Sequence, residues 1–300
     1  MRPFVVLVGL GLAVGCGGGG HAPADGGSSD ANPSDVGCHP PFGSSFIVNQ
    51  FAQAPAGQGF DLNGDGKPDN AFAVVGIGSN IWANLISSGS AIFLFDLHGL
   101  PSAGTPVSDG ASLQLAFYLG VGVSSDPTTY FGGNGQFLAP ASQFDVNCQT
   151  TANMDTVAVS GGTIEGHKSM LGLGVHGLGI LEFSEYVMSA TMSADQQTFA
   201  GRLGGVATPC GLSQLPSPAG AGSLLGLMIN ADHTQPDIDV DGDGLDHITG
   251  DGTDVASCTT GGGVVIPGAD CACDPRIKDG FSGAFDFSAV PAMIVGVAPQ

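Results

Sequence analysis

SLQLAFYLGV, residues 112–121, alternates: Leu113, Leu115, Phe117, Leu119 and Val121 fall on one side of an extended chain, the period of two that a half-buried strand requires. AIFLFDLH (residues 91–98) repeats the pattern with Ala91, Phe93, Phe95 and Leu97. FSGAFDFSA (residues 281–289) places Phe281, Phe285 and Phe287 on a face, and SMLGLGV (residues 169–175) places Leu171, Leu173 and Val175 there. Turns rich in glycine or proline separate these runs, and no run leads into the amphipathic helix of a βαβ unit. The expectation is a mainly β chain, an antiparallel β-sandwich-like domain with long Asp/Gly loops. Two short helices interrupt it. SNIWANLISSG (residues 79–89) offers Ser79 or Asn80 as a cap, Ile81, Leu85 and Ile86 along one side and Gly89 as a stop. GSLLGLMIN (residues 222–230) is capped by Ser223 and ends at Asn230. Trp82, the sole tryptophan, is assigned to core packing.

Composition agrees with a turn-rich fold, since 51 glycines and 19 prolines occupy 300 positions, well above the ordinary share. The 27 acidic residues face only six Lys and Arg, for a net charge of −21, and all but Glu165, Glu182 and Glu185 are aspartates. Such a field repels nucleic acid and anionic lipid and gathers cations. No nucleic-acid partner is expected. Short aspartates suit turns and hard-cation sites better than helix surfaces.

The first residues, MRPFVVLVGLGLAVGC, hold one Arg, an apolar run over residues 4–14 and then Gly15-Cys16. The run is shorter than the roughly 20 residues of a spanning helix and reads as an export signal. LAVGC resembles the lipobox of bacterial lipoproteins, with Leu12 four positions before the cysteine and Ala13 where Leu is usual. The resemblance implies lipidation of Cys16, loss of residues 1–15, and attachment to a membrane, either the outer membrane or the cell surface, with the periplasmic face as an alternative. Residues 16–37 then form a Gly/Ser/Pro tether that contains little to bury and spans about 25 Å on average. The folded domain is expected over residues 38–300.

Apart from Cys16 the cysteines are Cys38, Cys148, Cys210, Cys258, Cys271 and Cys273. Six cysteines in an exported chain suggest three disulfides, with fifteen possible connectivities. Cys258 with Cys271 or Cys273 would clip the acidic C-terminal region. Zinc is disfavoured because CAC lacks the usual ligand spacing.

Two stretches share one grammar. DLNGDGKPDN (residues 61–70) sets Asp61, Asn63 and Asp65 at positions 1, 3 and 5, Gly66 at 6, the Lys67 carbonyl at 7 and Asp69 at 9. Calcium takes six to eight hard oxygens, and the glycine lets the backbone turn around it. The pattern resembles the calcium loops of EF-hand-like, dockerin and thrombospondin type 3 repeats. That resemblance implies Ca²⁺ as the bound ion, with side-chain ligation by Asp61, Asn63, Asp65 and Asp69. Position 12, a bidentate Glu in EF-hands, is Phe72 here, so the loop is expected to be a static site. DIDVDGDGLD (residues 237–246) has Asp239, Asp241 and Asp243 at 1, 3 and 5, Gly244 at 6, the Leu245 carbonyl at 7 and Asp246 at 8, one residue out of frame. Asp237, Asp251 and Asp254 are further donors within reach. Eight aspartates lie over residues 232–254, and unpaired they would repel one another.

Catalytic patterns are weaker. GLGVHG (residues 172–177) matches a nucleotide-binding glycine pattern, but the residues after it alternate instead of opening a helix. GFSGA (residues 280–284) imitates a nucleophile elbow at Ser282, with His167, His176 or His247 as possible bases, yet a strand follows. Glu182 and Glu185, three apart, are expected on opposite faces of a strand. The combined lipobox, tether and DGDG loops resemble surface lipoproteins of myxobacterium-like bacteria. The expected function is an exported, lipid-anchored, calcium-binding module without catalysis, its protein or glycan partner unspecified. The alternatives are a secreted hydrolase with structural calcium, or an adhesion or carbohydrate-binding module.

Overall fold

The computed structural model describes residues 40–74, 79–145, 147–150, 155–175, 179–217, 222–231 and 233–298. The leader, Cys16, the tether, Cys38 and His176 lie outside these residues, as do the side chains of Ile81 and Val175. The described residues form strands β1 (Ser44–Gln53), β2 (Phe93–His98), β3 (Ser112–Leu119), β4 (Val121–Gly122), β5 (Gly135–Ala139), β6 (Asp155–Ser160), β7 (Thr163–Val175), β8 (Gly179–Met192), β9 (Phe199–Ala207), β10 (His247–Gly250), β11 (Val255–Thr259), β12 (Val265–Pro267) and β13 (Phe281–Val297). Eight of them follow one another around a closed barrel, β1-β2-β3-β6-β7-β8-β9-β13, and β13 returns to pair with β1 from Ser45 opposite Ala292 to Gln53 opposite Phe285. All neighbouring pairs in this ring are antiparallel.

The chain is therefore mainly β as expected, but its principal sheet is a barrel and not a sandwich. Inward alternation looks the same in both architectures. What separates them is the pairing of the first strand with the last, which removes both sheet edges. Eight strands enclose a space just wide enough for side chains to fill, and here phenyl rings fill it. Phe51 stacks on Phe285 at 4.9 Å and meets Phe93 edge-on at 5.4 Å, while Phe95 lies 5.2 Å from Phe199 and 4.9 Å from Phe287. Each such contact adds about 0.5–1.5 kcal/mol beyond the area it buries.

Trp82, on α1 (Ser79–Ser87), closes against Phe51 and Phe285 at 5.3 and 5.6 Å. Phe72, in a short 3-10 turn (Ala71–Val74), meets Phe183 at 5.9 Å. The inward faces expected for Ala91 to Leu97, Leu113 to Phe117 and Phe281 to Phe287 are buried. Val121 departs from that expectation and is exposed, because Gly120 ends β3 and the chain turns off the barrel wall into β4.

Two excursions leave the barrel. Between β3 and β6, β4 and β5 form a flap that continues the sheet alongside the C-terminal half of β13, with β5 parallel to it. Between β9 and β13 lie α2 (Pro209–Gln214), α3 (Leu224–Ala231) and a small sheet of β10, β11 and β12. Leu212, Leu225, Met228 and Ile248 of this excursion share one apolar cluster with the barrel interior. The two helices read from the sequence are α1 and α3, and Ser223 caps α3 through Gly226 N–H at 3.0 Å. The unread helix α2 has Thr208 accepting from Gly211 N–H at 3.1 Å and Pro209 in its first turn, both ordinary start signals. Disulfides join Cys210 to Cys273 and Cys258 to Cys271, and Cys148 is disulfide-bonded as well.

Candidate functional site: two aspartate loops and a cleft

The first loop closes where Phe60 and Asp69 form an antiparallel bridge. Within it the side chains fold back on the loop's own backbone. Asp61 Oδ2 accepts from Gly66 N–H (2.9 Å), Asn63 Oδ1 from Asp65 N–H (3.0 Å) and Asp65 Oδ1 from Lys67 N–H (2.8 Å). Asp69 Oδ2 accepts from Leu62 N–H at 2.8 Å. Gly64 and Gly66 adopt φ of +76° and +82°, a conformation that side chains resist. The departure at position 12 has a structural reason: Phe72 is a buried barrel plug, so no carboxylate could stand there without entering the core.

The second loop brings together Asp239, Asp241 and Asp243, each offering a carboxylate oxygen within 4.8 Å of the others. Among the described residues this is the one such group of acids, cysteines or histidines. Asp239 accepts from Gly242 N–H (2.6 Å) and Gly244 N–H (3.2 Å). Lys278 Nζ lies 3.2 Å from Asp241 Oδ2 and holds that carboxyl below the usual range. Partial desolvation, followed by the charge of Asp241, pushes Asp243 the other way. All donors in both loops are oxygens, the set a hard cation such as Ca²⁺ takes.

Asp246 is placed differently. It is buried, and its oxygens accept from Gly261 N–H (3.0 Å), Lys278 N–H (2.9 Å) and Asp279 N–H (3.1 Å). Asp279, also buried, returns the favour to Val240 N–H (2.8 Å) and Asp246 N–H (2.7 Å). Burial pushes the Asp279 carboxyl up, and the N–H donors of Asp246 and Val240 oppose it. The pair braces the loop from behind. Leu245 is an exposed loop residue. Asp251 and Asp254 are occupied in a separate turn, where Asp251 accepts from Thr253 and Asp254 N–H and Asp254 accepts from Ser223 Oγ.

Asp237 and Ser282 tie the two regions together. Ser282 is fully buried, donates from its hydroxyl and its N–H to Asp237, and accepts from Ala71 N–H at 2.7 Å. Burial raises the Asp237 carboxyl, Ser282 opposes this, and the charge of Asp69 adds to the rise. The Ser282 hydroxyl is thus a structural pin and not an exposed nucleophile.

No family model, curated protein or solved structure matches this chain. Its chemistry has to be read from the site alone.

A cleft of about 460 Å³ opens beside the first loop, lined by Asp61, Leu62, His167, Glu185, Tyr186 and Val187. Sequence reasoning missed it because of a β-bulge. Ser184 pairs with Val206 and Val187 with Gly204, so Glu185 and Tyr186 together oppose Gly205. Glu185 takes φ +50° there. Strict alternation after Leu181 and Phe183 would turn Glu185 into the barrel. The extra residue instead keeps it outside and returns Tyr186 and Met188 to the interior. Glu182 and Glu185 are consequently both exposed on the outer face, contrary to the opposite faces expected from their spacing.

Proposed function

We propose that the chain is an exported, lipid-anchored calcium-binding protein, acylated at Cys16, whose barrel serves as a non-catalytic binding or structural module at the outer membrane or cell surface. The observation that carries the calcium reading is the convergence of Asp239, Asp241 and Asp243 oxygens in a loop that repeats the spacing of residues 61–69. Disulfides among Cys210, Cys273, Cys258 and Cys271 support an oxidising compartment. The ion acts as a staple: at one hundred times its dissociation constant it stabilises the folded chain by about 2.7 kcal/mol per site. Scanning calorimetry tests this. Removing Ca²⁺ with EGTA is expected to lower the Tm by roughly 5–10 °C for each site emptied, and an unchanged Tm overturns the reading.

The cleft favours a second reading, a secreted hydrolase with calcium-supported loops, because it collects one imidazole and two carboxylates. Against it, Asp61, His167 and Glu185 are not drawn into the close grouping that Asp239, Asp241 and Asp243 form. Glu185→Gln discriminates: a hydrolase loses turnover on whatever ester, peptide or glycoside it cleaves, with Tm unchanged.

A further inference from the structure

The flap leaves an apolar face outside the barrel. On its inner side Ile294, Phe137 and Ala139 are buried against Ile47, Leu94 and Tyr118. On its outer side two cross-strand rows face solvent. In one, Met293 is opposite Gln136, whose carbonyl accepts from Val123 N–H at 3.0 Å; in the other, Leu138 is opposite Val121, with Val295 at the neighbouring bulge. Val121, Val123, Met293 and Val295 are 47%, 51%, 44% and 47% exposed. β4, β5 and residues 287–297 hold no charged side chain, in a chain of net charge −21.

Two observations choose the occupant. The N-terminal approach to the domain is Phe42, packed edge-on to Tyr118 and to Phe144, both at 6.2 Å, in the same cluster that seats the flap. The chain upstream of Phe42 therefore enters the domain next to the flap. Charge also discriminates: a second copy would bring −21 against −21, whereas zwitterionic headgroups bring no net charge. We propose that the outer face of the flap seats the domain on a zwitterionic bilayer surface, with Val121, Val123, Met293 and Val295 entering the headgroup–acyl boundary. This rests on the exported, anchored reading above.

The test uses the mature chain from residue 16 carrying Cys16→Ser, so that no acyl group contributes, floated with phosphatidylcholine vesicles. The unaltered flap is expected to float, and Val123→Asp with Val295→Asp to lower the bound fraction about tenfold, since such binding scales with buried apolar area. Replacing half the lipid by phosphatidylglycerol should weaken binding by repulsion. Should the Asp pair lower the Tm, Val123→Ser with Val295→Ser gives the same comparison at smaller perturbation. Equal flotation of altered and unaltered flaps overturns the proposal. So does no flotation at all, or a dimer in sedimentation equilibrium that the Asp pair dissociates, which would make a second copy the occupant. Mass spectrometry of the Cys16 peptide from the natural protein separates the two readings: unmodified Cys16 with intact flotation overturns the anchor alone, and acylated Cys16 without flotation overturns the flap alone.

Discussion

In residues 61–69 the carboxylates turn back on their own loop, whereas residues 237–246 are held from behind by a buried carboxylate, Asp279, reaching across 33 and 39 positions. The first loop is exposed along most of its length and ends in a core plug, Phe72. The second stands on a brace, lies within the stretch of chain that the Cys210–Cys273 disulfide closes, and gathers its three acids. A shared D-x-[DN]-x-D-G spelling thus specifies the turn and its oxygens but not what holds the turn in place. A loop of the first kind is organised by local bonds that water competes for, and one of the second kind also by bonds to two buried carboxylates, Asp246 and Asp279, where water competes less.

The largest effect should come from breaking the brace. Asp246→Ala strips the acceptor from three backbone N–H groups and is expected to cost about 3–5 kcal/mol in urea unfolding, while Asp69→Ala in the exposed loop should cost about 1 kcal/mol. Equal losses would erase the distinction between the loops. Next, Cys258→Ala with Cys271→Ala opens a link across 13 residues, for a loss of about 3 kcal/mol. Calcium affinity should fall at the second loop and stay constant at the first.

Smaller again is Lys278→Gln. Its ammonium competes for Asp241, so its removal should tighten the second site roughly threefold, with no counterpart for Lys67, whose Nζ lies 3.6 Å from Asp65 on the open surface. The smallest effect belongs to a buried carboxylate outside both loops, Asp96, which accepts from Gly43 N–H (2.9 Å) and Ser45 Oγ (3.0 Å) beside His98. Burial raises its carboxyl, with His98, Ser45 and Gly43 opposing. A raised folded value means the folded state holds the proton longer than the unfolded one. Its contribution is therefore present below the ordinary value of about 3.9 and is lost as pH climbs through the raised one. Asp96→Asn should flatten that slope in stability measured against pH.

Much of the barrel was legible because its interior follows a strict period: Phe93, Phe95, Leu113, Leu115, Phe285 and Phe287 were all placed on one face by alternation alone. The cap of α3 and the clip at Cys258 are legible for the same local reason. Closure was not, since Ser45 and Ala292 meet across most of the chain and leave no short-range mark. The bulge at Glu185 inverted a parity that alternation takes for granted, and the cleft went unseen with it. The Asp246–Asp279 brace and the Ser282 pin likewise join residues far apart in sequence. At the second loop the DGDG spelling drew attention to Asp246 as one more oxygen donor, and only its buried position distinguishes it from Asp241 and Asp243.

Equilibrium dialysis of the metal-stripped chain against radioactive Ca²⁺ tests the central claim most directly. Two ions per chain are expected, one lost in Asp61→Asn with Asp65→Asn and the other in Asp241→Asn with Asp243→Asn. A chain that retains no calcium at millimolar concentration, or that retains both ions through all four substitutions, would contradict the account.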